Sequence, residues 1–275
     1  MTVEETPAAP AKPAWMQAIS RDDAWAMPKS ILLYGPPGTR KTTLAASIVK
    51  RPDEPKVLLI DIDNGSESLI NDDEILAAKQ EGRLDIVPIN PTEAGAFGKL
   101  DFILNDVITN DYGYAFIIID VLNVAQSVAV EHFLANTFNA SGRPDTQAAW
   151  GLVSKWTDRV ARGLHNAPHA TGIFVMHERS NTDEMGSVSI IPQLQGGMKQ
   201  TIASIPSIVA HLSFAKKDSE SDETELVANL GESDIYPTKT RFSKFLDNEM
   251  RDFSLLRLYE QLDAHLNGKS DQEEA

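Results

Sequence analysis

The chain has 275 residues, an apolar fraction of 42%, no cysteine and a formal net charge of −15. That size predicts one α/β domain with tails, and the missing cysteine excludes disulfides and thiolate-bound zinc. So acidic a chain is a poor general binder of nucleic acid, and any DNA contact must be local, shared across an oligomer, or made through a partner.

No run of 18 apolar residues and no leader pattern is present, which predicts no membrane passage, and the missing cysteine fits work in a reducing cytoplasm. Residues 1–28 read as a flexible arm, because Thr6 to Ala14 is rich in Pro and Ala. Trp15, Met16, Ile19, Trp25 and Met27 follow. They are expected either to dock on a neighbouring subunit or to pack on their own domain. The main domain is expected over residues 29–267, and an acidic, disordered tail over 268–275.

The dominant local pattern lies between Ser30 and Leu44. The apolar run Ile31-Leu32-Leu33-Tyr34 meets the turn Gly35-Pro36-Pro37-Gly38-Thr39-Arg40, followed by Lys41, Thr42, Thr43 and a helical stretch. Strand, glycine turn, Lys-Thr and helix form the context of a phosphate-binding loop. In such a loop the backbone N–H groups and the helix N-terminus face phosphate oxygens. Lys41 is expected to reach the β- and γ-phosphates of ATP, and the Thr42 hydroxyl to ligate Mg²⁺. Arg40 stands where the motif has glycine. A side chain fits there if the backbone is helical and the group points outward.

Lys56 to Asp63 is an apolar run ending in acids, typical of a strand buried on both faces. It places Asp61 and Asp63 at the carboxyl edge of the sheet, where doubly wound folds hold ligands. Asn64-Gly65 ends it, and Ser66 to Gly82 is expected to be helical. Leu84 to Ile89 is a weaker strand, with Pro88 suited to an edge. Thr92 to Asn110 has helical periodicity. Tyr114 to Asp120 is an apolar strand closing on one aspartate, the Walker B pattern, with Asp120 expected in the Mg²⁺ shell opposite Thr42.

Val121 to Phe138 reads as a helix or partial helix, and Asn139 to Thr146 as loop. Gln147 to Asn166 reads as an amphipathic helix with Trp150, Val153, Thr157, Val160, Ala161 and Leu164 toward the core. Ala170 to His177 is another buried strand. Its polar end, His177, is either a group that senses the γ-phosphate or attacking water, or an ordinary strand-end histidine. Glu178 to Gln195 is expected to be an exposed loop or hairpin. Gly196-Gly197 opens a short helix, and Ser207–Phe214 and Glu225–Leu230 form an antiparallel pair. Lys239 and Arg241 alternate on an extended segment and so share a face. Residues 253–266 form a closing helix.

The order of these elements resembles a RecA-type P-loop NTPase core. More closely it resembles the phage-encoded AAA-domain nucleotide-binding proteins, which include RecA-like single-strand annealing ATPases. The resemblance spans about Ser30 to Phe245. It implies a mostly parallel sheet with helices on both faces and antiparallel C-terminal strands. It also implies an ATPase acting in DNA recombination or replication in a bacterial host cell. It matches Gly35, Gly38, Lys41 and Thr42 to the phosphate loop, Asp120 to Walker B, and His177 to the polar sensor. Asp63 falls where a glutamate usually activates water, so the shorter acid implies slow hydrolysis. Loops matching the DNA-contacting ones hold Arg143 and Arg179 but few other cations or aromatic residues. The Lys239-x-Arg241 pair resembles the fingers that reach a neighbour's γ-phosphate in RecA-like and DnaB-type hexamers, which implies a ring or filament with shared sites; the plainer alternative is a surface strand with two charges. A nucleotide-gated assembly or loading module, with DNA handled by a partner protein, is the rival reading. A small-molecule P-loop kinase is disfavoured by the absence of an arginine-rich lid.

Overall fold

The computed structural model describes residues 27–182, 186–218 and 222–273. The tryptophans of the predicted arm, at positions 15 and 25, lie outside this range. Met27, the first described residue, packs partly buried against the core.

The strands are β1 (Ser30–Gly35), β2 (Val57–Asp61), β3 (Leu84–Pro88), β4 (Phe116–Asp120), β5 (Thr171–Thr182), β6 (Val188–Pro192), β7 (Ile208–Lys216), β8 (Thr224–Asn229), β9 (Lys239–Thr240) and β10 (Glu249–Arg251). The sheet runs β10-β8-β7-β1-β5-β4-β2-β3, with β6 added to β5 and β9 to β7. Pairings among β1, β2, β3, β4, β5 and β7 are parallel, and those of β6, β8, β9 and β10 are antiparallel. This is the expected α/β class: a mostly parallel sheet with antiparallel C-terminal strands. Pro88 closes β3 at the edge, where a missing N–H costs no ladder bond.

The helices are α1 (Lys41–Ala46), α2 (Asp73–Gln80), α3 (Ala96–Thr109), α4 (Leu122–Asn136), α5 (Thr146–Asn166), α6 (Met198–Thr201) and α7 (Leu255–Glu273). β1, β2 and β4 are buried along their whole length because both faces are covered. On one face Ile31, Leu33, Leu59 and Ile118 meet α1, α2 and α7. On the other, Leu32, Ile60, Ile119 and Phe174 meet α3, α4 and α5.

Four expectations are corrected in detail. The stretch from Ser66 to Gly82 is two elements, a 3-10 turn over Gly65–Asn71 and then α2. The break falls at Asp72, whose carboxylate accepts from Ile75 N at 3.2 Å and restarts the helix as an N-cap. β5 does not stop at His177. Its parallel pairing ends there, at Gly35↔His177, and the strand continues as a hairpin with β6 from Glu178. On α5, Trp150 is only half-buried, near the exposed start of the helix. Trp156 takes the core position instead and donates its indole N–H to Asp101 at 2.7 Å. Finally, α7 carries helix through Glu273, into the stretch expected as an acidic, disordered tail, since one glycine among Lys, Gln and Glu does not stop it.

Strand register brings the polar strand ends together. Asp61 and Asp120 are direct neighbours on β2 and β4, and Gly35 sits beside His177. All four lie at the carboxyl edge of the parallel strands.

Candidate nucleotide and metal site

The turn after β1 is built by close approach and by left-handed backbone. A Cβ on Gly35 would run into the Leu212 carbonyl of β7, so only glycine lets the strands close here. Gly38 has φ +85°, which costs glycine nothing. Pro36 and Pro37 lie between them, Pro36 half-buried and Pro37 exposed. Thr39 is 1% exposed and donates to Pro36 O at 2.8 Å, which ties the turn back on itself.

Arg40 is the N-cap of α1 with φ 54° and ψ 33°. Helical backbone is the expectation from sequence at this position; the structure places it in the left-handed region instead. This is the conformation that glycine supplies freely and that costs an ordinary residue about 1–2 kcal/mol. Its side chain is exposed, as expected.

Lys41 opens α1 and is 6% exposed. Its ammonium donates to Gly35 O (3.0 Å), Pro36 O (2.7 Å) and Thr39 Oγ1 (3.2 Å). Burial pushes its pKa down to about 8, and the carboxylates of Asp120 and Glu178 work against that fall. An anion delivered to this ammonium would favour its charged form.

Asp120 is 1% exposed, and neither carboxylate oxygen has a hydrogen-bond partner of ordinary geometry among the described residues. Burial pushes it up to about 6; the adjacent Thr42 hydroxyl and Lys41 favour the carboxylate, while the charges of Asp61 and Asp63 oppose it. A buried acid with no hydrogen bond of ordinary geometry calls for a cation. The space between Asp120 and Thr42 is bounded by Gly65, where a Cβ would lie 2.7 Å from Thr42 Oγ1 and 2.9 Å from Asp120 Oδ2. A carboxylate and a hydroxyl meeting across a glycine fit the hard oxygen donors and water-filled shell that Mg²⁺ prefers. Thr43, next on α1, has its hydroxyl 3.4 Å from that of Ser68.

Asp63 and His177 come together at 3.6 Å (Oδ2 to Nε2). The Asp63 side chain is 51% exposed, which leaves room for water. The backbone N–H of His177 is fixed by Asn123 Oδ1 at 3.0 Å. Lys41, Thr42, Asp63, Asp120 and His177 line one cleft of about 350 Å³.

Lys239 and Arg241 are not part of it. Lys239 pairs with Val209, and Arg241 N donates to Ser207 O at the level of Ser30. Arg241 is therefore about five residues, roughly 17 Å along the strands, below Gly35. Lys239 Nζ donates to Ser204 O at 2.7 Å, and Arg241 is exposed. Neither reaches the cleft of its own chain.

Three contributors have roles that the sequence does not reveal. Gly65 reads as a strand-ending turn. Asp61, 1% exposed, reads as a second edge acid, yet its carboxylate accepts from Gly65 N (3.0 Å) and Ser66 N (3.1 Å). Beneath the loop, buried His211 meets Glu178 at 2.8 Å and stacks on Tyr236 at 3.8 Å. The signal for His211 is a lone ionisable residue inside the apolar run of β7.

The chain matches one family model, described as an AAA domain, over residues 27–242. No curated protein matches it. Similar solved structures include the RadB recombinase, with a TM-score of 0.47 and 16% identity over 82% of this chain and 86% of that one. Another is a prototypical ATPase from the type III secretion system of pathogenic bacteria, with a TM-score of 0.40 and 16% identity over 67% of this chain. The present chain spans 51% of the latter's length.

Proposed function

The chain belongs to the AAA-domain family, and from that premise we propose that it binds ATP with Mg²⁺ and hydrolyses it in an oligomer that acts in DNA recombination, single-strand annealing or replication. The observation that carries the nucleotide reading is the convergence of Lys41, Thr42 and the orphaned Asp120 in one cleft at the carboxyl edge of the sheet. The phage or prophage origin and the work in a bacterial host's cytoplasm rest on the sequence resemblance alone. The described helices include none long and apolar enough to cross a membrane.

In this reading the turn from Gly35 to Thr43 holds the phosphates through backbone N–H groups, and Lys41 stabilises charge that grows on them in the transition state. Thr42 and Asp120 hold the magnesium ion, which when bound neutralises phosphate charge. Asp63 orients the attacking water, with His177 beside it to report the γ-phosphate. Lys239 and Arg241 serve the site of a neighbouring subunit in a ring or filament, because they lie far from their own.

Mixed results are expected for DNA. The loop over residues 139–145 carries only Arg143, and the β5–β6 hairpin carries Arg179, whose Nε is buried without a partner among the described residues. That poverty of free cations favours, as a second reading, a nucleotide-gated assembly or loading module that leaves DNA to a partner protein. ATP hydrolysis with and without single-stranded DNA, for wild type and Lys41→Ala, tests both. Loss of at least ~100-fold in the variant is expected. Stimulation by DNA supports the recombination reading, and indifference to DNA selects the loading module. Hydrolysis that survives Lys41→Ala would overturn the site.

A further inference from the structure

Resting on the reading that Thr42 and Asp120 hold magnesium, we propose that Asp61 is a positioning residue for that metal shell, acting through Gly65, whose missing side chain sets the room available to the ion and its waters.

The geometry begins with two carboxylates side by side. Asp61 and Asp120 are register partners at the ends of β2 and β4 and point to the same face. Only one is free to hold a cation. Asp120 has no hydrogen bond of ordinary geometry to either oxygen among the described residues, only the adjacent Thr42 hydroxyl, whereas both oxygens of Asp61 are taken, one by Gly65 N and one by Ser66 N. Those bonds satisfy Asp61 in place and use two of the unsatisfied N–H groups at the start of the 3-10 turn over Gly65–Asn71. They also fix where that turn sits.

The turn is seated directly on the metal-holding pair. Asn64 enters it with φ 54°, in the left-handed region that asparagine tolerates better than most residues. The next Cα, Gly65, then faces Thr42 and Asp120 so closely that one added carbon would lie 2.7 Å from the hydroxyl and 2.9 Å from the carboxylate. Glycine is needed here for proximity, since Gly65 has no positive φ. Asp61 thus pins a backbone wall of the shell without offering an oxygen to the ion. Asp63, two residues on, faces the cleft. The two acids of this strand end therefore have separate tasks, one holding the wall and one facing the water.

The test is a magnesium titration of nucleotide binding, followed with a fluorescent ADP analogue, beside the same binding in EDTA. Wild type, Gly65→Ala, Asp61→Asn and Asp120→Ala are compared, with folding checked by thermal melts. For Gly65→Ala and Asp61→Asn we expect the half-saturating magnesium concentration to rise at least tenfold, while affinity in EDTA changes less than threefold. Asp61→Asn adds no heavy atom and replaces one accepting oxygen by a donating NH2 group, so it decides the matter if Gly65→Ala does not fold. An unchanged magnesium half-point in folded Asp61→Asn overturns the inference. An equal loss of binding with and without magnesium also overturns it, because the turn would then only support the phosphate loop. Failure of the parent reading looks different: Asp120→Ala itself would leave the magnesium half-point unmoved.

Discussion

Arg40 shows how one backbone angle separates a motif's chemistry from its geometry. The loop needs a left-handed residue before Lys41, and glycine normally supplies it. Here arginine holds φ 54° with its side chain in solvent. The loop keeps its shape because Thr39, Pro36 and the Lys41 ammonium bond across it, at a standing cost in stability. Arg40→Gly should therefore stabilise the folded protein by about 1 kcal/mol, after allowing for glycine's greater freedom in the unfolded chain. In a domain of this size that is a rise of roughly 2–4 °C in Tm. Urea unfolding of the two proteins checks it, and a less stable variant would mean the Arg40 side chain makes a stabilising contact.

Helix α5 ties two regions of the core together. Its middle buries Trp156, and its last turn sets His165 Nδ1 2.7 Å from Ser30 Oγ, under the first residue of β1. Burial, and then the cations Arg241, Lys29, Lys239 and Arg162, pull the His165 pKa down to about 4. The unfolded chain, with an ordinary histidine near 6.5, therefore binds the extra proton first as pH falls. Stability is present in full above about pH 6.5 and drains away toward about pH 4. His165→Asn keeps a polar partner for Ser30 and removes the proton site, so its stability should fall less over that interval; denaturant midpoints at several pH values read the difference. The parallel strands and long helices were legible in the sequence because unbroken apolar runs and 3.6-residue periods record burial directly, whereas the short edge strand β10 carries no such run. The meeting of Lys41, Thr42 and Asp120 in one cleft was legible because the proposed phosphate and magnesium chemistry demands those residue types in that order. Asp61 and Gly65 were not, since a wall made by two N–H bonds and a missing side chain leaves no pattern of its own. After His177 the sequence left loop and hairpin open, because those residues are polar, and only the arrival of β6 turns them into strand.

Across the whole molecule, the cleft with Lys41 lies at the carboxyl ends of the parallel strands, whereas Arg241 lies at the amino end, level with Ser30, and Lys239 lies between, level with Leu32. Two damaged proteins should then rescue each other. Lys41→Ala and Arg241→Ala are each expected to lose hydrolysis, the latter on the order of 10³-fold. Mixed in equal amounts they should recover about a quarter of the wild-type rate, the chance that a sound loop meets a sound arginine across an interface. No recovery in an assembled mixture would leave the two cations as ordinary surface charge.

That separation also bears on what kind of object the proposed contact would build. If each subunit lends its lower edge to the upper edge of a next one set in the same orientation, the contact joins unlike patches and is heterologous, so it either closes into a ring or runs on as a filament. The assembly has direction, like a row of people each with a hand on the next shoulder. An open row always has a leading copy whose cleft is unserved and a trailing copy whose arginine touches nothing. Closing the row removes both, so turnover per subunit would itself report whether the ends have met.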